Sequence, residues 1–592
     1  MRGTAAAETA NNELGESVHV RNHRKVITLG TAAALALVAA AGTVGAAPSR
    51  SAPTAAEPVM GGHLNVSGDA EVSSPWTPAA MRCDMYCYTR ARTFFDTVAV
   101  WGTDGEVHGM LAETIEPNEG FTEWTITVRE GISFTDGTPV DAAAVVENLQ
   151  LTGTGLLVSA LVKDVAKVPD PDDAEKVQLK IEILDDMTFT IFLGQDGDPE
   201  QPISWRDFPH TLTGQWGLIA SPTWLDEVAA NPELATQPVG SGPFIVDSYE
   251  PRGSTEVSRN PDYWMTDEAG NQLPYLDSIS FRVIEDSETA VEALQSGDID
   301  MVGSSNGRAI NTAMGLTDEM NVTLQSEFAE TGYLMIDLDK LGPLQDQRVR
   351  CAMSLAIDRD ELNESTTDGF ADAANGLFSP GQQGYLEDNG LVMEQDLDTA
   401  AAMIAEYEEE TGTQVEFNLG HIGATSVIQG AELLMGWWSE IGIDTTDQTI
   451  PQNDFINLAV FGVPEFEAFL WRQHGGVVVD QQYLWWHSKN AFPDGELSLN
   501  FGRIRDDGID AALDAARTSA TAEEATAAAE EVNRIFAEQC YYIPLNYLPW
   551  GTMSALDVAG IGALTLPDGT QVIDGGGSSG PFWLHTLYLT EG

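Results

Sequence analysis

Apolar and polar residues follow strand and helix periods along most of the chain, and residues 129–148 show how sharply these elements are separated. In this stretch, REGISFTDGTPVDAAAVVEN, Ile132 and Phe134 alternate with small polar residues, which predicts a half-buried strand. The Asp-Gly dipeptide at 136–137 is typical of a tight turn. Asp141 then has the side chain needed to cap the first turn of a helix.

Strand and helix patterns alternate in this way from a first strand at 61–68, GGHLNVSG, to the end of the chain. Helical periods cover 141–149, 286–300, 346–362, 396–412, 430–443 and 521–540. A further strand, YYIPLNYL, follows the last of these helices. Alternation of this type predicts an α/β fold with mixed sheets. No internal segment is apolar over a length that could span a bilayer.

Length and charge narrow the class of protein. The chain has 592 residues, too many for one hydrophobic core, so two or more lobes are expected. It carries 92 Asp and Glu against 28 Lys and Arg, a formal net charge of −64. A field this negative repels nucleic acid phosphates and anionic lipid head groups, and we exclude both as partners. The acids are spread along the chain, which is typical of the solvated surface of a halophilic or marine protein; a site that collects cations is the alternative.

The N-terminal region predicts export. A basic cluster at 21–25 precedes an apolar run at 26–41, and small residues including Val44 and Ala46 follow at the spacing of a cleavage site. Residues 1–46 are therefore expected to be a signal peptide, with an uncleaved membrane anchor as the alternative. No Cys lies near this site, so a lipid anchor on a mature N-terminal Cys is not expected, and the protein is expected to be extracytoplasmic: periplasmic, cell-surface or secreted. Residues 47–58 are rich in Pro, Ala and Ser and predict a flexible leader.

The four cysteines are Cys83, Cys87, Cys351 and Cys540. An exported protein meets an oxidising compartment, so disulfides are allowed, and three pairings are open. We favour Cys83–Cys87 as a local loop and Cys351–Cys540 as a long-range link, with buried free thiols as the alternative. No His lies at ligand spacing from the first pair, which disfavours metal binding there.

Five stretches share a pattern with one known family. Residues 110–149 contain VREGISF followed by a Asp-Gly-Thr-Pro turn and a helix. This order resembles the extracellular solute-binding proteins of family 5, the peptide-, nickel- and oligosaccharide-type receptors of ABC importers, whose pattern is Leu-Arg-x-Gly-x-x-Phe, then x-Asp-Gly-x-Pro. Four further stretches resemble the family in the same order: VGSGPFIVDSYEPRGSTEVSRNPDYW (239–264), LDSISFRVIEDSETAVEALQSGDIDMV (276–302), DQRVRCAMSLAIDRDEL (346–362) and RIFAEQCYYIPLNY (534–547).

The resemblance implies a two-lobed α/β fold of the periplasmic-binding-protein type II class, in which the lobes close over a ligand at a hinge cleft. Applied to this chain, it implies a first lobe at 59–322 that returns at 538–592, with an extra subdomain inserted at about 101–236. The second lobe is expected at 323–537. The family also implies a monomer that delivers its ligand to an ABC permease, without a cofactor or a catalytic step.

The resemblance places ligand recognition in FEAFLWRQHGGVVVDQQYLWWHS (466–488). Many peptide-binding members have a Trp followed closely by Ala-Asp-Tyr, whose Asp meets the ammonium group of the peptide. Here Gly475-Gly476 stands where that Asp is expected, and the nearest acid is Asp480. The ligand-binding candidates are Trp471, Arg472, Asp480, Trp485, Trp486 and, after the first strand, Trp76. A Trp ring can stack on a sugar or pack a peptide side chain, and Arg472 can pair with a carboxylate or with a surface acid.

An oligopeptide is the first expected ligand, and an oligosaccharide or sugar conjugate is the alternative. A secreted serine hydrolase is the alternative of another class, because 303–307 and 576–580 both match G-x-S-x-G. The second match lacks the strand before and the helix after that a nucleophilic serine needs, and the first, which follows a strand-like segment, has no identifiable acid and His partners. A metal receptor is a further alternative, because His474 and His487 flank the candidate segment, but a lone His is more often satisfied by protein groups.

Overall fold

The computed structural model describes residues 58–69, 71, 76–82, 85–171, 173, 175–251, 253–340, 342–462, 466–473, 476–573 and 582–590. The predicted signal peptide, all but the last residue of the leader, and Cys83 lie outside these residues. The α-helices of the described ranges are α1 (Met85–Phe94), α2 (Ala142–Thr152), α3 (Val158–Leu161), α4 (Pro222–Ala230), α5 (Ser287–Ser296), α6 (Gly307–Met314), α7 (Gln347–Leu355), α8 (Arg359–Thr367), α9 (Leu397–Thr411), α10 (Thr425–Glu440), α11 (Gln452–Phe461), α12 (Tyr483–Trp486), α13 (Asp507–Arg517) and α14 (Ala522–Gln539).

The strands alternate with these helices, as an α/β fold requires. They are β1 (His63–Gly68), β2 (Asp96–Thr97), β3 (Ala99–Trp101), β4 (Val107–Gly109), β5 (Ala112–Pro117), β6 (Glu123–Val128), β7 (Lys167–Pro169), β8 (Val177–Leu179), β9 (Ile181–Ile183), β10 (Thr188–Phe192), β11 (Leu218–Ile219), β12 (Phe244–Tyr249), β13 (Ser254–Arg259), β14 (Ser278–Val283), β15 (Met301–Ser304), β16 (Met320–Ile336), β17 (Asp372–Ala373), β18 (Glu416–Ile422), β19 (Asp444–Ile450), β20 (Ala468–Gln473), β21 (Tyr542–Ala555), β22 (Val558–Ala559) and β23 (Tyr588–Leu589).

One mixed sheet of eleven strands organises the fold. Its order is β12-β13-β14-β1-β15-β21-β16-β20-β18-β19, and β17 also pairs with β21. We call β12, β13, β14, β1 and β15 the first half of the sheet, and β20, β18 and β19 the second half. Parallel pairs (β1 with β14 and β15, β18 with β19 and β20) lie on both sides of the antiparallel pair β16–β21. Helices cover each half, so each has its own apolar core.

Strands β16 and β21 pass through both halves of the sheet. Near one end, Met320 to Gln325 pair with Ala555 to Trp550, beside β15. Near the other end, Thr331 to Met335 pair with Tyr547 to Tyr542, beside β20. The register shifts between Gln325 and Glu330, and Phe328 in this interval has φ 60°, a left-handed conformation that side chains rarely adopt. The two halves are therefore joined by strands with an irregular middle.

A smaller antiparallel sheet, β5-β6-β10-β9, lies within the segment predicted as the inserted subdomain. Helix α2 packs against it, and the buried residues between them include Trp124, Phe189 and Trp216. This smaller sheet thus has an apolar core of its own, to which Val98 and Ala99 also belong. The lobe and insert boundaries remain predictions.

Two predicted elements differ from the structure. The strand assigned at Ile132 and Phe134 ends earlier, because β6 stops at Val128 and Gly131 takes φ 80°. Both side chains are buried as predicted, but they belong to a loop closed by hydrogen bonds from Phe134 N to Thr138 O (2.8 Å) and Val140 N to Ile132 O (2.9 Å). The predicted cap is correct: Asp141 Oδ1 accepts from Ala144 N at 2.9 Å.

The single helix predicted at 346–362 is two helices, α7 and α8. Helix α7 ends at Leu355, and Asp358 starts α8 by accepting a hydrogen bond from Glu361 N at 2.9 Å. An Asp that bonds to the backbone three residues ahead favours a new N-terminus over continuation of a helix. No described helix is long and apolar enough to cross a membrane.

A buried carboxylate, Asp96, organises the stretch at 239–264. It is fully buried and accepts hydrogen bonds from Ser241 Oγ (2.8 Å), Tyr263 Oη (3.1 Å) and Trp264 Nε1 (2.9 Å). Burial raises the pKa of Asp96 to about 6, although these three donors oppose the shift. The Gly-Ser-Gly-Pro and Asn-Pro-Asp-Tyr-Trp segments of this stretch are thus brought together by one acid.

A disulfide joins Cys351 in α7 to Cys540 at the end of α14, across 189 residues of sequence. This is the long-range pairing favoured from the sequence. Cys87 lies in α1, and its predicted partner is outside the described residues. The Cys351–Cys540 bond ties two helices that cover the second half of the sheet.

Replacing Cys351 and Cys540 together by Ser should lower the free energy of unfolding by about 2–5 kcal/mol, because the bond restricts a long loop of the unfolded chain. Urea denaturation at pH 7 measures the change. Each single Ser variant should match the double variant, since all three break the same bond. An unchanged denaturation midpoint in the double variant would contradict the prediction.

Asp96→Asn should change how stability depends on pH. The folded-state pKa of Asp96 is above the unfolded value, so the folded state binds the extra proton between these values and loses stability as pH rises towards 6. Asn has no proton to lose. The stability of the wild type relative to Asp96→Asn should therefore fall by about 1 kcal/mol between pH 5 and pH 7, measured by urea denaturation. A difference that is constant or grows with pH would contradict this prediction.

Candidate functional site

The two halves of the sheet face each other at the carboxyl ends of their parallel strands. Strands β1 and β15 end at Gly68 and Ser304 in the first half, and β20 ends at Gln473 in the second. Ligands of open α/β sheets bind outside the carboxyl ends of the strands. The irregular middle of β16 lies between these ends, so the residues that follow the strands line a common cleft floor.

Arg472 connects the parts of this floor. It lies on β20, directly opposite Gly332 of β16, and its Nη1 donates a hydrogen bond to Ser305 Oγ of the first half. Strands β16 and β21, which pass through both halves of the sheet, are called the crossing strands. The Nε of Arg472 lies 3.5 Å from Oε2 of Glu330 on β16, and its guanidinium lies 5.5 Å from the ring centroid of Trp550 on β21. The Arg472 side chain is 36% exposed, whereas that of Glu330 is 1% exposed. Arg472 therefore contacts both halves and keeps an accessible face.

A second carboxyl group, that of Asp69, lies in the electrostatic field of Arg472. Asp69 follows β1, and burial raises its pKa, an effect opposed by the charge of Arg472 and increased by that of Glu330. The charged form of Asp69 therefore depends on Arg472.

Trp471 and Trp485 form an aromatic surface next to this floor. Trp471 stacks on Phe455 with ring centroids 5.3 Å apart and meets Phe501 edge-on at 5.4 Å. Trp485 contacts the same Phe501 at 5.3 Å. Both Trp side chains are half-buried, so part of each ring remains accessible. The structure brings these two candidates together through a residue that the sequence analysis did not select.

Two other candidate Trp residues lie in packed interiors. Trp76 is fully buried between Phe94 (5.0 Å) and Tyr249 (5.4 Å), under the guanidinium of Arg90. Trp486 is 1% exposed and packs on Phe378 and Phe536. In this arrangement neither ring has surface that a solute can reach.

Asp480 lies apart from the cleft floor, in a buried ionic network. Its carboxylate accepts hydrogen bonds from Trp205, His210 and Arg517, and it is 2% exposed. Of the six candidates, Trp471, Arg472 and Trp485 therefore keep accessible surface. Trp471 and Trp485 share a contact with Phe501, whereas Arg472, the next residue of β20, points to the opposite face of that strand. The structure does not bring Trp76, Trp486 or Asp480 to accessible positions.

Asp69, Glu330 and Ser305 were not among the predicted ligand-binding residues. Glu330 lies in a long strand among polar residues, and nothing local distinguishes it from the other 91 acids. Ser305 belongs to the G-x-S-x-G match at 303–307, which does lie between a strand and a helix. Its hydroxyl accepts from Arg472, a donor-only group that cannot act as the base a nucleophilic serine needs.

His487, one of the two His of the metal alternative, is held by protein groups. It lies 3.3 Å from both Asp510 Oδ1 and Asp514 Oδ1, and its partner His474 is outside the described residues. Within the described ranges, no group of three or more His, Cys, Asp or Glu side chains could hold a metal ion.

Two bacterial binding proteins are similar to part of the chain. The probable di/tripeptide-binding protein 5 of Pseudomonas aeruginosa is 25% identical over 356 residues, which cover 57% of this chain and 62% of the relative. The glutathione-binding protein GsiB of Salmonella paratyphi A is 27% identical over 294 residues, which cover 49% of this chain and 51% of the relative. The chain thus spans less than two thirds of the length of these curated relatives.

Solved structures share the fold. The ABC transporter-associated periplasmic binding protein DppA from Helicobacter pylori, in complex with peptide STSA, superposes with a TM-score of 0.74 at 20% identity, over 90% of this chain and 99% of that one. The mixed α/β architecture is therefore that of a periplasmic binding protein. The family model described as bacterial extracellular solute-binding proteins, family 5 Middle, matches residues 106–493. The chain belongs to family 5 of the bacterial extracellular solute-binding proteins.

Proposed function

We propose that this protein is the substrate-binding receptor of an ABC importer, which captures an oligopeptide outside the cytoplasm and delivers it to the permease. The observation that carries the proposal is the contact of Arg472 with Ser305 and Glu330, which joins the carboxyl ends of both sheet halves over the crossing strands. A solute held there touches both halves at once. Membership of family 5 and the peptide-binding relatives support the same conclusion.

Hinge closure is the proposed mechanism. The lobes, 59–322 with 538–592 and 323–537, move about the irregular middle of β16 and its partner β21. A solute that contacts both lobes favours the closed arrangement by its differential affinity for that state. The permease then receives a closed complex. No covalent step or cofactor takes part in the proposed cycle.

The proposed solute contacts are Trp471, Trp485 and Arg472. The two half-buried rings can pack an apolar side chain, and Arg472 with its acids can orient a polar backbone. Trp76, Trp486 and Asp480 remain predictions from the sequence, and in the structure their side chains are occupied by protein groups.

The proposed setting is extracytoplasmic. A signal peptide at 1–46, or an anchor in the same region, would bring the protein to the side of the membrane where the permease takes up its substrate. Membership of the family predicts a monomer. An oligosaccharide or sugar conjugate is the second candidate ligand. The pair of accessible rings at Trp471 and Trp485 favours it, because sugars stack on such surfaces.

Peptide pools should raise the thermal unfolding midpoint of the purified protein, whereas oligosaccharide pools should not. A ligand that binds only the folded state stabilises it by mass action, by about 2.7 kcal/mol at 100 times its Kd. Differential scanning fluorimetry with di- to nonapeptide pools and with glycan pools measures the shifts.

A shift with glycans alone would replace the peptide receptor with the sugar receptor. If neither pool shifts the midpoint, the proposal of a peptide or sugar receptor is wrong.

Arg472→Met should weaken binding of peptides with neutral side chains roughly tenfold, about 1.4 kcal/mol, because it leaves Asp69 and Glu330 without their shared cation. Peptides that contain Lys should lose less affinity or gain some. Isothermal titration calorimetry with the best peptide of the pool and its Lys-substituted form measures both values.

Arg505→Met is the matched control. Arg505 lies in the second half, pairs with Asp339 at 2.6 Å and is away from the cleft floor. Equal effects of the two substitutions on peptide affinity would show that Arg472 has no special part in binding.

A further inference from the structure

A buried network of charges joins the predicted insert at 101–236 to the predicted second lobe at 323–537. At its centre is Asp480, which follows β20 in a 3₁₀ turn at Val479–Gln482. One oxygen, Oδ2, accepts hydrogen bonds of 2.7 Å from Trp205 Nε1 and from His210 Nε2, both residues of the insert. The other, Oδ1, accepts a hydrogen bond of 2.7 Å from Nε of Arg517, the last residue of α13.

Arg517 extends the network to a second carboxylate of the insert. Its Nη1 donates a hydrogen bond of 2.8 Å to Asp164 Oδ2. The guanidinium is sandwiched between two rings, 4.0 Å from the centroid of Trp205 and 3.3 Å from that of Tyr483. Lys489 Nζ lies 3.8 Å from Asp164 and supplies a second cation. Each oxygen and each cation thus has a partner of opposite character.

Three ions of this network are removed from water. Asp164, Asp480 and Arg517 are 1%, 2% and 4% exposed. Burial alone would raise the pKa of Asp480, but the charge of Arg517 and the hydrogen bond from His210 outweigh it and hold that pKa well below its usual range. Charges buried in this way are stable only while their partners stay in place.

We infer that the network of Asp164, Arg517, Asp480 and His210 is a latch that holds the insert against the second half and so keeps the receptor closed. Asp164 and His210 belong to the predicted insert, whereas Asp480 and Arg517 belong to the predicted second lobe. Opening of the cleft would therefore separate the first two residues from the other two. The inference rests on the proposed hinge closure. It makes Arg517 a positioning residue, which acts on the solute through the closed state.

The latch also gives Asp480 a role other than solute capture. The sequence pointed to this acid as the nearest substitute for the Asp that meets a peptide ammonium. In the structure the guanidinium of the chain's own Arg517 occupies that carboxylate. The closed state is therefore stabilised by an internal cation at this position.

Asp480→Asn tests the latch without any solute. Small-angle X-ray scattering of the protein in the absence of added ligand should give a larger radius of gyration for Asp480→Asn than for the wild type. Asp337→Asn is the matched control, because Asp337 is also a buried acid that pairs with a buried Arg, at 3.3 Å from Arg503, but both belong to the second half. The control should lose stability and keep the wild-type radius.

Trp205 supplies a second readout. Its indole N–H donates to Asp480 and its ring contacts Arg517, so opening should expose it and shift its emission to longer wavelength. The difference between each protein and its Trp205→Phe form isolates this signal. Arg517→Met should show the shift, and Arg517→Lys should restore part of the closed signal because it keeps the charge.

Equal radii and equal Trp205 emission for the wild type, Asp480→Asn and Arg517→Met would overturn the latch. If Asp480→Asn fails to fold, His210→Asn, which removes one donor, decides by the same two measurements. If the radius of gyration and the Trp205 emission change as expected, but the peptide pool does not raise the unfolding midpoint, the proposed ligand is wrong and the latch stands. A peptide shift equal in Asp480→Asn and Asp337→Asn, with equal radii, would keep the receptor and refute the latch.

Discussion

The antiparallel pairing of β16 with β21 is the constraint on which the rest of the structure depends. Because both strands continue through both halves of one sheet, the halves cannot be separate folding units joined by a free linker. Backbone hydrogen bonds at either end hold each half, and the register shift in the middle leaves a short interval where the ladder is incomplete. A protein built in this way can bend at one place and stay rigid elsewhere.

Polar and charged contacts connect the predicted lobes at several places. Arg472 contacts the first half through Ser305, and Arg517 contacts the insert through Asp164. On a third side, Arg308 of α6 donates to Gln429 Oε1 at 2.9 Å in the second half. Bases are scarce in this chain, 28 against 92 acids, and Arg82 and Lys489 make further contacts of this kind, with Asn457 and Asp164. Several of the few positive charges thus lie where the predicted lobes meet.

In the pattern expected from peptide-binding relatives, a Trp and a nearby Asp belong to one ligand-binding motif. In this chain the corresponding residues are divided between the candidate site and the proposed latch. Accessible surface remains on Trp471, Arg472 and Trp485. Asp480 is at most nine residues from each of them along the chain, but it is buried against residues of the predicted insert. A short segment of sequence thus supplies both the proposed solute contacts and the centre of the proposed latch. Asp480 is separated from the β20 residues by the turn at Val479–Gln482, which carries it into the buried network.

Local patterns were enough to predict the α/β class, seven of the fourteen described helices and the family, because periodicity, caps and turn dipeptides are local properties of the chain. They also narrowed the aromatic candidates to one segment. Which of these candidates are accessible depends on tertiary contacts. Nothing in the local sequence separates Trp76 and Trp486 from Trp471, because the rings that bury them, Tyr249 and Phe378, come from distant parts of the chain. The pairing of Arg517 with Asp164, 353 residues apart, and of Arg472 with Ser305, 167 apart, leaves no local pattern. Such contacts depend on how the halves and the insert are placed, which no short stretch of sequence encodes.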